Sequence, residues 1–312
     1  MPQDSVFREQ GLPDSIRGED TVFHAIQSAG EPAVHKTGGA ASYFLVSLLL
    51  CMAGYNVMRG YRKRARRKLV SSLMTNKKVA YDNILQHYNP YYKSLPDDLK
   101  KRFMLRTIAW MESKEFRYID LEAEEKMPLL ISAAAVQLTF GLDNYLMDYF
   151  NTIYVLRNNY RYGVYNVPFE GHVSEDGIYL SWSNFIREYN DYNDGQNVGL
   201  HEMAHALTYV NFRAESGIDK VFHDKFTDFS AVARPVFQKV QDGVISFFGT
   251  YAATNYEEFW AVCIETFFER SDAFRQQLPE LYFAVVHLLN QDPLTTPKMI
   301  LLPENSEDQQ VI

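Results

Sequence analysis

The feature that most constrains this chain is the pentapeptide His-Glu-Met-Ala-His at positions 201–205. Histidines four residues apart lie one turn apart on the same face of an α-helix, so His201 and His205 can reach one metal ion. An apolar stripe of helical period surrounds the motif, and Asp194 is a candidate for the helix cap. A helix this apolar is mostly buried. Its histidines and Glu202 then need partners, which a metal ion would supply.

The pentapeptide has the H-E-x-x-H pattern of zinc metallopeptidases, which predicts a Zn²⁺ cofactor. In that pattern His201 and His205 are metal ligands, and Glu202 is the general base that takes a proton from a zinc-activated water. Catalytic zinc usually has a third protein ligand and one open position. The best candidates for this ligand are Glu258 and Glu265, whose spacing of seven residues puts both on one helix face. The alternative is that both are surface glutamates.

Composition limits the class of protein further. The chain has 312 residues, enough for one or two domains, and its 46% hydrophobic and 14% aromatic content fits a packed core. A net charge of −8 argues against nucleic acid as a partner. Cys51 and Cys263 lie far apart in different contexts, so we expect no disulfide between them, and the count suits a reducing compartment.

An apolar run without charged residues extends over residues 38–58. About 20 apolar residues suffice to cross a bilayer, and Tyr43 and Tyr55 lie near the ends of the run, where membrane interfaces favour aromatic side chains. Residues 59–78 include nine basic residues and no acidic one. We therefore predict a single-pass transmembrane helix over residues 39–58, with the basic flank and the catalytic part on the cytoplasmic side of the inner membrane.

Three alternatives to a membrane anchor are open. A secretory signal peptide would place its basic flank before the apolar run, whereas here the flank follows it, and a long polar tail comes first. A buried core helix would crowd the nine cations at one of its ends. A true start of the chain near Met52 would remove the anchor altogether.

The remaining pattern predicts an α+β fold that is mostly helical with a small sheet. Helices are predicted over the zinc motif and over residues 97–111, 128–141, 218–247, 255–270 and 278–290, and strands over 151–156 and 177–182. The second strand is either an ordinary sheet strand or an edge strand that pairs with an extended peptide substrate. The predicted divisions are a polar tail over 1–38, the transmembrane helix over 39–58, a basic juxtamembrane segment over 59–80, a zinc metallopeptidase domain over 81–303 and a polar tail over 304–312.

Several spaced segments between Tyr91 and Pro293 resemble the Mlc titration factor A family of zinc metallopeptidases, whose catalytic part is similar to the metalloprotease domain of anthrax lethal factor. The resemblance is carried by Gly-Ile-Tyr-Leu-Ser-Trp at 177–182, Asn-Val-Gly-Leu-His-Glu-Met-Ala-His-Ala-Leu at 197–207 and Tyr-Ala-Ala-Thr-Asn-Tyr-Glu-Glu-Phe-Trp-Ala-Val at 251–262, with further matches at 265–268, 279–282 and 291–293. It implies a zincin-like domain of the gluzincin type that acts on a peptide or protein substrate. Two positions depart from the family pattern: Thr208 stands where Asp is frequent, and Asn-Tyr-Glu-Glu at 255–258 replaces Asp-Pro-Ala-Glu.

The resemblance also implies roles for individual residues. Glu258 is the third zinc ligand. Tyr251, seven residues earlier, donates a hydrogen bond to the oxyanion of the tetrahedral intermediate. Packing is the alternative role for Tyr251, because the chain has 21 tyrosines. Glu265 supports a histidine ligand through a hydrogen bond.

The sequence therefore predicts a zinc metallopeptidase that hydrolyses peptide bonds. The alternative is a regulatory protein that sequesters a transcriptional repressor at the membrane, because the namesake of the family binds the repressor Mlc. A purely structural zinc site is disfavoured, because such sites favour four cysteine or histidine ligands and the sequence has no such cluster.

Overall fold

The computed structural model describes residues 38–161, 168–213 and 219–295. The chain divides into two compact units, residues 1–55 and residues 56–312. The predicted polar tails at 1–38 and 304–312 lie outside the described residues, apart from Gly38.

The described residues are mostly helical, with one small sheet. The helices are α1 Gly38–Asn76, α2 Lys78–Tyr88, α3 Pro90–Ser94, α4 Asp97–Met111, α5 Lys126–Thr139, α6 Trp182–Asn190, α7 Val198–Phe212, α8 Lys220–Gln241, α9 Tyr256–Glu269, α10 Ser271–Gln277 and α11 Pro279–Leu289. The strands are β1 Glu115–Ile119, β2 Thr152–Leu156, β3 Gly171–Ser174 and β4 Gly177–Ser181. The prediction of a mostly helical α+β chain is confirmed.

Local sequence explains where several helices begin and end. α4 spans Asp97–Met111, as predicted. α5 begins two residues before Pro128, because proline is tolerated in the first turn of a helix. α8 ends at Gln241 instead of residue 247, because Gly243 adopts a φ of +71° that a right-handed helix cannot include.

The sheet has the strand order β1-β2-β4-β3. β1, β2 and β4 run parallel, and β3 pairs antiparallel with β4. Alternate residues of β2 and β4 are buried because they point to one face of the sheet: Ile153, Val155, Ile178 and Leu180. This face belongs to the hydrophobic core.

β3 is an edge strand that the sequence pattern did not reveal. The interpretation of residues 177–182 as a substrate-pairing edge is wrong, because β4 lies between β2 and β3 and both of its backbone edges are already paired. β3 has four residues, all of intermediate burial, so it lacks the apolar alternation that marks a strand. The outer edge of the described sheet on this side therefore belongs to β3.

Four helices form the centre of the larger unit. α5 is apolar on almost all sides and is buried from Leu129 to Thr139. α4 and α7 pack against α5, and α9 packs against α7. The indole nitrogen of Trp260 in α9 donates to the carbonyl oxygen of Ala204 in α7 at 3.0 Å. The α7–α9 pair carries the predicted metal motif and the predicted third ligand.

α1 contains the predicted membrane helix. Among the described residues, Tyr43–Asn76 is a helix long and apolar enough to cross a membrane. The side chains of residues 43–66 are exposed, and the large apolar ones include Phe44, Leu45 and Leu50. A bilayer core would bury these exposed apolar side chains, which extend over more than five helical turns.

The C-terminal end of α5 is held by a buried arginine and by close backbone packing. Arg106 donates from Nη1 to the carbonyl oxygens of Phe140 and Leu142 at 3.1 and 2.7 Å. Carbonyls at a helix end lack intrahelical donors, so this contact satisfies them. A Cβ on Gly141 would lie 2.3 Å from the carbonyl oxygen of Leu289, so only glycine fits between the two segments.

Gly141→Ala should lower the free energy of unfolding by about 3 kcal/mol, because the added methyl group must displace backbone atoms. Gly60→Ala is the matched control, since a Cβ on Gly60 would meet nothing within 4 Å. Urea unfolding of both full-length variants in detergent, followed by circular dichroism, measures the difference. A Gly141→Ala variant as stable as the wild type would contradict this packing.

Candidate metal centre

α7 carries the His-Glu-Met-Ala-His motif and begins directly after its N-cap, Asn197. The side-chain oxygen of Asn197 accepts a hydrogen bond from the backbone N–H of Leu200 at 2.9 Å. The prediction of Asp194 as the cap is wrong: its carboxylate accepts from the N–H of Gln196 at 2.9 Å, before the helix begins. The physical reason is Gly195, whose φ of +81° turns the chain between Asp194 and the helix.

Three buried carboxylates surround the start of α7. Glu265 accepts from the N–H of Asn197 at 2.6 Å, and Glu269 accepts from the N–H of Gly195 at 3.1 Å. Glu188 of α6 accepts from the N–H of the first residue of α7 at 2.6 Å. The carboxyl oxygens satisfy these N–H groups, which precede the regular hydrogen bonding of α7. Burial raises the pKa of Glu269 to about 9. The hydrogen bonds of these three side chains fix the start of α7 to α6 and α9.

His201, His205 and Glu258 bring three potential ligand atoms together. The Nε2 atoms of His201 and His205 are 3.1 Å apart, and Oε2 of Glu258 lies 3.0 Å from the first and 3.5 Å from the second. Ligands placed tetrahedrally around zinc at about 2.0–2.1 Å are about 3.4 Å from one another. The three atoms therefore have the spacing of one face of such a tetrahedron, and the triad could hold a metal ion.

Neighbouring side chains orient these potential ligands. Oε1 of Glu265 lies 2.7 Å from Nδ1 of His201, so Nδ1–H donates there and Nε2 faces His205 and Glu258. Burial lowers the pKa of His201, but the charge of Glu265 and hydrogen bonds to Glu258 and Glu265 outweigh it, so the pKa stands well above its usual value. The carboxylates therefore favour a positive charge at this point, which a bound cation would supply.

Glu202 lies beside the triad with a buried carboxylate. The residue is 4% exposed, and its Oε2 makes no hydrogen bond within the described part of the chain. β3 passes directly over it: a Cβ on Gly171 would lie 2.5 Å from Oε1 of Glu202. Burial raises the pKa of Glu202 to about 7, although the neighbouring histidines lower it. A buried carboxylate oxygen without a partner is a natural acceptor for a water molecule.

Tyr251 reaches the same centre from a 3₁₀ turn, Tyr251–Ala253. Its ring centroid lies 5.9 Å from that of His201, and the residue is 58% exposed. Partial burial, the charge of Glu258 and a hydrogen bond to Glu258 raise the pKa of Tyr251 above its usual range. The phenol therefore keeps its proton near neutral pH and can donate a hydrogen bond.

Comparison with known proteins assigns the chain to a family. Residues 61–288, more than two thirds of the chain, match the profile of a family described as glucose-regulated metallo-peptidase M90. The chain belongs to the M90 family. The description of the family points to a peptidase that uses a metal ion, which agrees with the triad of potential ligand atoms.

Two relatives extend this comparison. An uncharacterized protein of Synechocystis sp., slr2042, is 23% identical over 213 residues, which cover 62% of this chain and 77% of that protein. The protein named Mlc titration factor A of Cronobacter sakazakii is 27% identical over 140 residues, which cover 43% of this chain and 52% of that protein. The family predicted from the sequence is confirmed, whereas the similarity to anthrax lethal factor stays a prediction.

The structure of this M90 chain places all five predicted site residues around one cleft: His201, Glu202, His205, Tyr251 and Glu258. Sequence reasoning missed Gly171, Glu188 and Glu269. The four-residue spacing of Glu265 and Glu269 on an apolar helix was a signal for Glu269, because both then face the same neighbour. We find no sequence signal that could have found Glu188 or Gly171.

The cleft has a volume of about 790 Å³. It is lined by β3, by the face of α7 that carries the motif, by α8 between Phe226 and Arg234, and by the first turn of α9. Its size is within the range of ligand-binding clefts, and the rest of its lining mixes aromatic side chains with small and hydroxyl-bearing ones. The candidate metal site is thus accessible to a ligand of several residues.

Glu265→Ala should weaken zinc binding by about 10- to 100-fold, because His201 loses the acceptor that orients its ring. Glu257→Ala is the matched control, since Glu257 is an exposed glutamate of the same helix that pairs with Arg213. Competition with a chromophoric chelator measures the zinc affinity of each full-length variant.

An unchanged affinity in a folded Glu265→Ala variant would show that His201 does not need this acceptor. If that variant fails to fold, Glu265→Gln supplies the comparison, because it keeps the volume and one of the two acceptor oxygens. For Glu265→Gln we expect about tenfold weaker binding.

Proposed function

We propose that this protein is a zinc-dependent peptidase with a zincin-like domain of the gluzincin type. The observation that carries the proposal is the triad of ligand atoms, 3.0–3.5 Å apart, beside a buried Glu202 oxygen that has no partner among the described residues. Two imidazole nitrogens and a carboxylate oxygen at tetrahedral spacing suit Zn²⁺. Membership of the M90 family supports the same reading.

In this proposal His201, His205 and Glu258 hold the zinc ion. Bound there, zinc would polarise the scissile carbonyl and lower the pKa of a water molecule to about 7. Glu202 accepts the proton of the attacking water at Oε2 and passes it to the nitrogen of the leaving amine. Tyr251 donates a hydrogen bond to the developing oxyanion. The water oxygen forms the new C–O bond as the C–N bond breaks.

β3 is positioned to align the substrate. Its first residue, Gly171, lies against Glu202, and β3 forms the outer edge of the described sheet. An exposed strand edge can pair with an extended peptide, which then lies with its backbone along the strand. The substrate-pairing role predicted for residues 177–182 therefore passes to β3.

Glu202→Gln should reduce kcat by at least about 100-fold with zinc binding unchanged, because an amide cannot accept the proton of the attacking water. Glu280→Gln, an exposed glutamate of α11, is the control and should keep full activity. Hydrolysis of quenched fluorescent peptides by the full-length protein in detergent measures both.

Full activity of Glu202→Gln would contradict its role as the general base. The same assay tests the metal: a chelator should abolish hydrolysis, and added Zn²⁺ should restore it. Hydrolysis that survives complete removal of zinc would contradict the metal requirement.

We also propose where the protein is located in the cell. The apolar run of α1 crosses the inner membrane once, and the catalytic domain lies in the cytoplasm. Support comes from the length of Tyr43–Asn76, from the exposure of residues 43–66 and from the nine cations that follow the run. Cations beside a membrane helix favour the cytoplasmic side.

A protease added to spheroplasts should leave residues 81–303 intact, because the membrane shields them. The same protease added to inverted membrane vesicles should digest this domain. Immunoblotting with an antibody against the domain measures both. Digestion in intact spheroplasts would reverse the orientation, and recovery of the chain in the soluble fraction would contradict the anchor.

A regulatory role is the rival proposal, favoured by the name of one relative, Mlc titration factor A. In it the anchored domain binds a transcriptional regulator and holds it away from DNA. A pull-down with zinc-loaded Glu202→Gln as bait separates the two. Capture of an intact DNA-binding regulator by this bait, together with a wild type that cleaves no peptide, would favour the rival.

A further inference from the structure

Two arginines line the cleft, and their surroundings differ. Arg213 is neutralised by Glu257, with Nη2 2.5 Å from the carboxylate oxygen. Arg234 has no carboxylate partner among the residues that the structure describes, and its guanidinium carbon lies 4.6 Å from the ring centroid of Tyr256. The cleft therefore presents one cation whose charge is not balanced by a nearby carboxylate.

The guanidinium of Arg234 rests on a ring that is itself fixed. The hydroxyl of Tyr256 donates to Oγ of Ser230 at 3.2 Å, one helical turn before Arg234 on α8. The ring packs against Phe237 and Phe259, with centroids 5.6 and 6.1 Å away. A guanidinium stacked on an aromatic face keeps its N–H groups available at the rim for a planar anion.

The position of Arg234 relates it to the proposed metal site. Tyr256 is the first residue of α9 and comes two residues before Glu258. The wall of the cleft between Phe226 and Arg234 includes Ala231, and Trp260 of α9 lies on the same side. A peptide in this part of the cleft would have aromatic and small polar side chains beside it and a cation at the end of that wall.

Resting on the proposed peptidase function, we infer that Arg234 is a specificity-determining residue that binds a carboxylate of the peptide substrate. Of the two arginines that line the described cleft, Arg213 is already paired with Glu257, so Arg234 is the one whose N–H groups are left to bind a substrate carboxylate. Arginine suits this task because its fork of N–H donors matches a carboxylate in a bidentate pair. The carboxylate is either the C-terminal group of a short peptide or an acidic side chain.

The test uses quenched fluorescent hexapeptides with one phenylalanine and three endings. The first ends in glutamine as the free acid, the second in glutamine amide and the third in glutamic acid amide. Pentapeptide and tetrapeptide versions vary the distance between the cut and the ending. The wild type should cleave one of the two carboxylate-bearing peptides with a kcat/KM about tenfold above its kcat/KM for the peptide that ends in glutamine amide. Preference for the free acid identifies the C-terminal carboxylate, and preference for glutamic acid amide identifies an acidic side chain.

Arg234→Gln should reduce this preference to within twofold while cleavage of glutamine amide stays near the wild-type rate. Arg234→Lys should keep part of the preference, because it keeps the charge and loses the fork. Arg213→Gln is the matched control and should leave the preference unchanged, because Arg213 already has a carboxylate partner. A preference that survives in Arg234→Gln, or a wild type that does not distinguish the three endings, would overturn the inference and leave the peptidase proposal standing.

A binding measurement tests carboxylate recognition by Arg234 even if the protein is not a peptidase. Fluorescence anisotropy gives the affinity of zinc-loaded Glu202→Gln for the same peptides, with and without the Arg234→Gln change. Tighter binding of a carboxylate-bearing form that Arg234→Gln abolishes would support carboxylate recognition even if the wild type cleaves nothing. Equal affinities for all three endings would overturn it.

Discussion

The packing of α9 against α7 is the interaction on which the site depends. The indole of Trp260 is hydrogen-bonded to the carbonyl of Ala204, in the middle of the metal motif. Glu258 and Glu265, seven residues apart on α9, both contact His201, one at Nε2 and the other at Nδ1. A shift of α9 along α7 would break these contacts together. The relative placement of the three ligand atoms therefore follows from the packing of two buried helices.

The same helix pair gathers carboxyl groups in the protein interior. Glu188, Glu202, Glu265 and Glu269 are all buried near the first half of α7. Burying a carboxylate is costly unless it finds a partner. The start of α7 supplies backbone N–H donors to three of the four, and His201 supplies another to Glu265. Glu202 lies beside the triad of His201, His205 and Glu258. A divalent cation would complete the coordination of the triad, and a water molecule would complete the hydrogen bonding of Glu202.

The sequence predicted which residues come together around the cleft, because most of them lie on regular helices. Residues 201–205 and the spacing between Glu258 and Glu265 have geometric consequences as soon as the segments are helical, and Tyr251 came from the family resemblance. The sequence pattern did not predict residues whose positions depend on pairing between distant segments. β3 has four residues and no apolar alternation, so only its pairing with β4 shows that it lies over Glu202. Glu188 likewise reaches the start of α7 from α6, and the true cap, Asn197, follows the turn at Gly195.

X-ray absorption at the zinc edge of the purified full-length protein tests most directly whether His201, His205 and Glu258 form one zinc site. We expect one zinc ion with nitrogen and oxygen ligands at about 2.0–2.1 Å, two of them imidazoles. In Glu258→Ala the two imidazoles should remain and the carboxylate contribution should disappear. A protein that takes up no zinc, or a spectrum with sulfur at about 2.3 Å or with fewer than two imidazoles, would contradict the account.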